Sequence, residues 1–355
     1  MNGLYVTSID TFSGKTALCL GLARHLQATG KTVGYIKPVS FQPTRTGGTT
    51  MDEDAEFVCR VLSLTETPAE FSPIVVTAQM LTTQLREGPG RDFLADIARA
   101  YQQTSQGKDF TILEGAASLR EGYVMGLSAA TVAQTLNVPV LTVVRWASDS
   151  RLVDDALAAQ TRLGQALLGV LLNHIPQPNW QFAQELARPY LERHGIPVFG
   201  CLPLEARLMA MSVGELVETL GGQVLVAPDK MDTLVENIMV GAMAVEAALP
   251  RFRRQQNKAV VTGGDRTDLQ LAALETSTRA LILTGNLQPN PQVLERAEES
   301  GVPVILVRGN TLETVEAIER TFGHTRLGYS EKLEQFEKLL AQHLDFERLL
   351  GAIKA

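Results

Sequence analysis

Short runs of apolar, β-branched residues alternate along the chain with longer stretches whose apolar positions recur every third or fourth residue. That alternation predicts parallel β/α units. In the first part, Leu4–Thr7, Val33–Pro38, Phe110–Glu114, Val138–Val144, Leu168–Asn173 and Val198–Leu202 read as strands. Lys15–Thr29, Asp92–Thr104, Ser128–Thr135, Arg151–Arg162 and Trp180–His194 read as helices. The strands show no polar alternation, so both their faces are expected to be buried, as in a doubly wound sheet.

A composition shift follows Pro203. Strands are expected at Gln223–Val226, Ala259–Thr262, Ala280–Thr284 and Val304–Val307, with helices beginning near Asp265, Pro291 and Thr311. Leu234–Ala244 is ambiguous, since Ile238-Met239-Val240 suits a strand and Ala242–Leu249 a helix. Lys332–Leu350 is amphipathic and predicts one terminal helix. The expected division is 1–210, 211–325 and a C-terminal helix over 326–355, with no low-complexity linker between the two α/β parts.

At about 150 residues per domain, the 355 residues suggest two to three domains. Hydrophobic residues make up 45% and charged residues 20%, which supports a large core and excludes a disordered chain. A net charge of −7 without a basic run disfavours nucleic acid as a partner. No stretch reads as a signal peptide or as the apolar run of about 18 residues that a membrane helix needs. Cys19, Cys59 and Cys201 are isolated thiols, expected to be reduced and packed, in a cytoplasmic protein.

The strongest chemical signal is Ser8-Ile9-Asp10-Thr11-Phe12-Ser13-Gly14-Lys15-Thr16, placed after an apolar strand and before an apolar-periodic helix. Such a turn aims backbone N–H groups and a positive helix end at an anion. Lys15 is then expected at the terminal phosphates of a nucleotide and the Thr16 hydroxyl at Mg²⁺. Ile9 stands where the standard phosphate-loop pattern has glycine. Glu114 closes the run Phe110-Thr111-Ile112-Leu113, where an unpaired carboxylate costs several kcal/mol. It is therefore expected to face a cation or a water-filled cleft. The five histidines have no metal-ligand spacing, and neither a nucleophile elbow nor a dinucleotide fingerprint is present.

The loop resembles the G-T-D-T-x-x-G-K-T element of the dethiobiotin synthetase and cobyrinic acid amidase group of P-loop proteins. Asp10, Thr11, Gly14, Lys15 and Thr16 match, while Ser8 and Ile9 replace glycine and threonine. The resemblance implies ATP and Mg²⁺ as cofactors, with Asp10, Thr11, Ser13, Gly14, Lys15, Thr16 and Ala17 as the cradle. It implies that Lys37, in Tyr35-Ile36-Lys37-Pro38-Val39, faces phosphate or substrate, making Lys15 and Lys37 the catalytic pair of any turnover. It places Thr16, Asp54 and Glu114 on the metal and Asn173 on adenine. From the residues alone, Asp52–Asp54 equally suits a helix N-terminus, Lys37 a surface lysine, and Asn173 a strand-end brace.

In the second part, Val260-Val261-Thr262-Gly263-Gly264-Asp265-Arg266-Thr267-Asp268 reads as a strand–helix turn with Asp265 as N-cap and an Arg–carboxylate clamp. It is similar to the element of the DRTGG domain. The order of a P-loop domain and then this domain is similar to the N-terminal region of the long bacterial phosphotransacetylase family, over roughly Leu4 to Phe322. The implied fold is a P-loop NTPase-type, doubly wound, mainly parallel sheet followed by a smaller α/β DRTGG-type domain and a C-terminal helix. With Ala355 as its last residue, the chain looks like a free-standing counterpart without the acetyltransferase domain. The function this implies is an ATP/Mg-binding regulatory or scaffold protein, a homo-oligomer (dimer or higher) acting with a separately encoded metabolic enzyme. Two readings stand beside it. One is an ATP-dependent carboxylate-activating ligase of the dethiobiotin synthetase type; the other is a binding module whose loop holds no nucleotide.

Overall fold

The computed structural model describes residues 3–46, 49–64, 67–88, 90–321 and 330–354. They fall into two units, one holding 3–204 with 330–354 and the other 205–321.

In the first unit, β1 (Gly3–Ser8), β2 (Val33–Ile36), β3 (Phe110–Glu114), β4 (Val140–Arg145), β5 (Leu167–Ile175) and β6 (Val198–Pro203) form one sheet. Its order is β6-β5-β4-β1-β3-β2 and every pairing is parallel. Each expected strand is present within two residues at either end. β1 and β3 are buried at every position, as their unbroken apolar runs require. From β1 the chain steps to one side to make β2, then returns through β3 and continues to β6 on the other. Right-handed crossovers therefore put α1 (Lys15–Ala28) on one face, while Phe93–Ser105, Ala129–Leu136 and Asp149–Leu163 cover the opposite one. A short parallel pair, Val39–Ser40 with Ile74–Val75, brackets in sequence a hairpin, Pro43–Thr46 with Thr49–Asp52, and the helix α2 (Glu53–Val61) that follows it. The expectations for the sequence included neither the pair nor the hairpin.

The C-terminal chain covers what α1 leaves bare. α3 (Ser330–His343) packs beside α1 and over β6, burying Leu333, Phe336, Leu339 and Leu340. Arg24 of α1 pairs with Glu337 of α3. The single helix expected over 332–350 is two helices, because the chain breaks to meet β6. Leu344 bridges to Gly200, and the Asp345 N–H donates to the Phe199 carbonyl at 2.8 Å. The Asp345 carboxylate then caps α4 (Phe346–Lys354), accepting the Arg348 N–H at 2.9 Å. The helix expected over 180–194 also differs. A π-helical stretch, Phe182–Ala187, precedes α-helix Arg188–Arg193 where Pro189 has no N–H to give.

The second unit carries β7 (Gln223–Val226), β8 (Asn237–Val240), β9 (Lys258–Gly263), β10 (Thr278–Thr284) and β11 (Val304–Leu306), in the order β7-β11-β10-β9-β8. Only the edge strand β7 is antiparallel. Leu269, Ala273, Val293 and Ala297 pack on one face, and Val213, Leu216 and Ile318 on the other. The ambiguous stretch is strand at Asn237–Val240, and the following helix starts at Val245 rather than Ala242.

Gly200 is where the C-terminal chain touches the sheet. A Cβ there meets the His343 carbonyl oxygen, Leu171 Cδ1 at 3.0 Å and Leu344 Cα at 3.1 Å, and backbone cannot yield cheaply. Gly200→Ala is therefore expected to cost about 2 kcal/mol and to open 330–354 to protease. An unchanged melting temperature with an equally protected C-terminus contradicts this packing.

Candidate functional site

Ligands of open α/β sheets bind beyond the carboxyl ends of the strands, where the strand order reverses. In the first unit that point is β1, and the turn from Ser8 to Lys15 lies there. The turn needs left-handed backbone at Gly14 (φ +91°) and at Phe12 (φ +51°). Glycine adopts it freely. A Cβ at 14 would also lie 2.7 Å from Asn173 Nδ2. Asn173, buried at the end of β5, donates through Nδ2 to the Ser13 carbonyl at 2.8 Å and accepts the His174 N–H at 2.8 Å. It braces the loop.

No side chain caps the N-terminus of α1, so its first N–H groups are left for an anion. The Ser13 hydroxyl is buried without a hydrogen-bond partner. Both features fit a bound phosphate. Lys15 is 7% exposed and donates to Ser8 Oγ at 2.8 Å and to the Ala117 carbonyl at 2.7 Å. Burial lowers its pKa to about 8 against the pull of Glu114.

Glu114, at the end of β3, is 1% exposed and accepts from Thr16 Oγ1 at 2.6 Å and from the Tyr35 hydroxyl at 2.8 Å. Burial raises its pKa, and the opposing pull of Lys37, Thr16 and Tyr35 does not cancel that. Lys37 is buried on Asp52, at 2.9 Å, with Asp54 at 3.7 Å. Burial alone would lower the lysine's pKa, but Glu114, Asp52 and Asp54 together outweigh it and hold the ammonium above its usual value. Asp52 also accepts from Ser40 Oγ at 2.5 Å and caps α2 through the Ala55 N–H at 2.9 Å.

Thr16 and Glu114 are thus in direct contact, while Asp54 lies 3.7 Å from Lys37. Among the described residues no group of three or more His, Cys, Asp or Glu is arranged to hold a metal by itself. A Mg²⁺ here fits only as a shared ion, on Thr16 and Glu114 with nucleotide oxygens and water completing its shell. Asp10 is turned aside, pairing with Arg120 at 3.1 Å and Arg151 at 3.4 Å. Thr11 is exposed, and Ala17 is half-buried in the first turn of α1. Residue order alone carries no mark of the roles of Ala117, Tyr35, Ser40, Arg120 or Arg151. Ser8 was visible only as a departure from a pattern, and Asp52 as a member of an acidic run.

The second turn is built differently. The helix begins at Thr267 with Arg266 as N-cap, so the expected cap at Asp265 is not formed. Arg266 lies 3.5 Å from Asp268 and donates to the Met243 carbonyl at 3.1 Å. Gln270 Nε2 donates to the Gly263 carbonyl at 2.8 Å. A Cβ on Gly264 collides with the Leu287 backbone, so this glycine serves close packing of two turns. The strands β8 to β11 run in sequence order, without the reversal that opens a crevice.

The raised pKa of Glu114 carries a stability consequence. An acid whose pKa is higher folded than unfolded costs stability at every pH above both values. The cost is relieved as the pH falls through the folded value towards the unfolded one. Glu114→Gln, which keeps one acceptor oxygen and turns an amide NH2 to the other hydroxyl, is expected to melt about 3 °C higher near neutral pH. The difference should close on acidification. A lower melting point at neutral pH contradicts this.

Comparison with known proteins agrees with the architecture. Residues 2–212 match the family model described as an AAA domain, and residues 215–321 match that of the DRTGG domain. The phosphate acetyltransferase of Nitrosomonas europaea is 27% identical over 367 residues, covering 99% of this chain and 51% of the relative. That of Pseudomonas putida is 26% identical, covering 97% of this chain and 51% of the relative. The chain therefore spans about half the length of the curated relatives it matches. Among solved structures, the CBS and DRTGG regulatory region of a Clostridium perfringens pyrophosphatase, complexed with diadenosine tetraphosphate, aligns at TM-score 0.30. Identity is 16%, over 39% of this chain and 69% of that one. The signal recognition particle receptor FtsY of Elizabethkingia anophelis aligns at TM-score 0.38 and 15% identity, over 57% and 59%. On its sheet, its loop and the span of the match, the chain belongs to the AAA domain family, carries a DRTGG domain, and is a homologue of the N-terminal region of phosphate acetyltransferases.

Proposed function

We propose that the chain binds ATP with Mg²⁺ at the turn between β1 and α1, and that the nucleotide state regulates its assembly or its contact with a separately encoded enzyme. One observation carries this reading: an uncapped helix N-terminus, an unpartnered buried hydroxyl on Ser13 and a buried ammonium on Lys15 meet at the same turn. A positive helix end, an ammonium and a hydroxyl with a hydrogen to donate together suit an anion with several oxygens. Lys15 is assigned to the terminal phosphates, and Thr16 with Glu114 to the metal. When bound, the metal screens phosphate charge and gives the Glu114 carboxylate a counter-ion.

Lys37 separates this reading from a carboxylate-activating ligase. A ligase needs that lysine at the transferring group, and here its ammonium is engaged by Asp52 and Asp54. Arg120 and Arg151 are likewise paired to Asp10. Turnover without a further substrate is therefore expected to be slow. No described helix is long and apolar enough to cross a membrane.

Two outcomes are expected in the full chain. Mg·ATP at about 100 times its dissociation constant should stabilise it by about 2.7 kcal/mol, and Lys15→Ala should remove the shift. An unchanged shift overturns the assignment. Affinity should also fall with pH. Phosphate binds the ammonium form of Lys15, which titrates at about 8 in the free protein, so binding is strongest below that pH. It should weaken by up to about tenfold per unit above it. Lys15→Arg should flatten the profile, and a flat wild-type profile from about pH 7 to pH 9.5 contradicts the role of Lys15.

A further inference from the structure

We propose that Ser8 is an internal competitor for nucleotide phosphate: its hydroxyl restrains the Lys15 ammonium at the end of β1 and so sets how weakly the loop holds the terminal phosphates. The proposal rests on the nucleotide-binding reading of this turn and adds to it the residue that governs occupancy.

Ser8 is the last residue of β1 and has no solvent exposure. Its hydroxyl hydrogen is committed, since Ser8 Oγ donates to the Asp10 carbonyl at 2.7 Å, with the Ala117 carbonyl a longer acceptor at 3.4 Å. What it offers Lys15, 2.8 Å away, is therefore a lone pair, sharpened by the bond it donates. The ammonium has three donors, and Ser8 Oγ and the Ala117 carbonyl take two of them. The latch also has a rigid base. The Ser8 carbonyl accepts the Leu119 N–H at 2.8 Å, which ties the end of β1 to the segment carrying Ala117.

A glycine at position 8 has no such oxygen, and the ammonium would then rest on the Ala117 carbonyl alone. With serine, a phosphate that draws Lys15 away leaves a buried lone pair without a donor, in a place water does not reach. Hydrogen bonds to charged groups are among the stronger ones, and a buried acceptor left unpaired adds to the loss. The cost falls on ligands that engage Lys15. Nucleotides carrying the terminal phosphates bear it, and AMP does not. Ser8 therefore sets affinity according to phosphate number and leaves base recognition untouched.

The test is calorimetric titration of the full chain with Mg·ATP and with AMP, for wild type, Ser8→Ala, Ser8→Gly, Lys15→Ala and the Ser8→Ala/Lys15→Ala double variant. Ser8→Ala and Ser8→Gly are expected to bind Mg·ATP about tenfold more tightly, a change of about 1.4 kcal/mol, with AMP affinity unchanged. In the Lys15→Ala background the Ser8 substitution should not restore Mg·ATP binding and should leave AMP affinity unchanged; recovery of Mg·ATP binding there overturns the restraint. Because the glycine variant places no side chain at the position, agreement between the two separates loss of the hydroxyl from a change of volume. Equal or weaker Mg·ATP binding by both variants, beside a wild type that binds, overturns the restraint and leaves the nucleotide site standing. Equal tightening for AMP also overturns it. Absence of binding in all five proteins overturns the site and the restraint together.

Discussion

A lysine ammonium placed where water does not reach must be surrounded by acceptors or give up its proton, and the Ser8–Thr16 segment is organised around that demand. Lys15 sits at the first position of α1, beneath the turn, held by one hydroxyl and one carbonyl. Two acceptors meet its three N–H donors, and burial draws its pKa down to about 8. The remaining deficit can be filled by an anion, and the uncapped N-terminus of α1 points the same way. Glu114 has the complementary problem, a buried carboxylate with two hydroxyl donors and a raised pKa. A negative ligand for one and a positive ion for the other relieve both. The site is thus two incompletely compensated charges, one short of an anion and the other of a cation.

The sheet keeps these charges apart yet close. β1 supplies Ser8 and β3 supplies Glu114 on adjacent parallel strands, with Val6 opposite Glu114 in register. Asn173 holds the loop to the end of β5, so three strands fix one turn. The C-terminal chain contributes at a distance. By covering the face of the sheet that α1 leaves bare, it fixes α1 itself through Arg24, Glu337 and the space over Gly21. The helix that presents Lys15 is anchored by residues more than three hundred positions along the chain.

The sequence made the sheets legible because buried parallel strands are unbroken apolar runs, and Phe110–Glu114 and Ala259–Thr262 fall where the pattern places them. It failed where tertiary demand decides local structure. Neither Gly nor Pro stands beside Leu344; the break comes from pairing with Gly200 in β6, and Asp345 caps the helix that follows. The π-helical turn at Phe182–Ala187 and the hairpin Pro43–Thr46 with Thr49–Asp52 carry no periodic signal of that kind. In the site, Lys15, Thr16 and Glu114 could be named because their types and positions are prescribed by chemistry. Ala117 acts through its backbone and Tyr35 through a hydroxyl at the end of a buried ring, so neither has a signature in residue order. Asp52 could be read as a helix cap, which it is, but its hold on Lys37 depends on a fold the sequence does not display.

The most direct measurement is a crystal structure of the full chain with Mg²⁺ and a non-hydrolysable ATP analogue. The account predicts phosphate oxygens on the N–H groups at the start of α1, Lys15 turned from Ser8 to the terminal phosphate, and a metal ion touching Thr16 with Glu114 in its shell. Density for nucleotide elsewhere, with Lys15 still resting on Ser8 and Ala117, contradicts it.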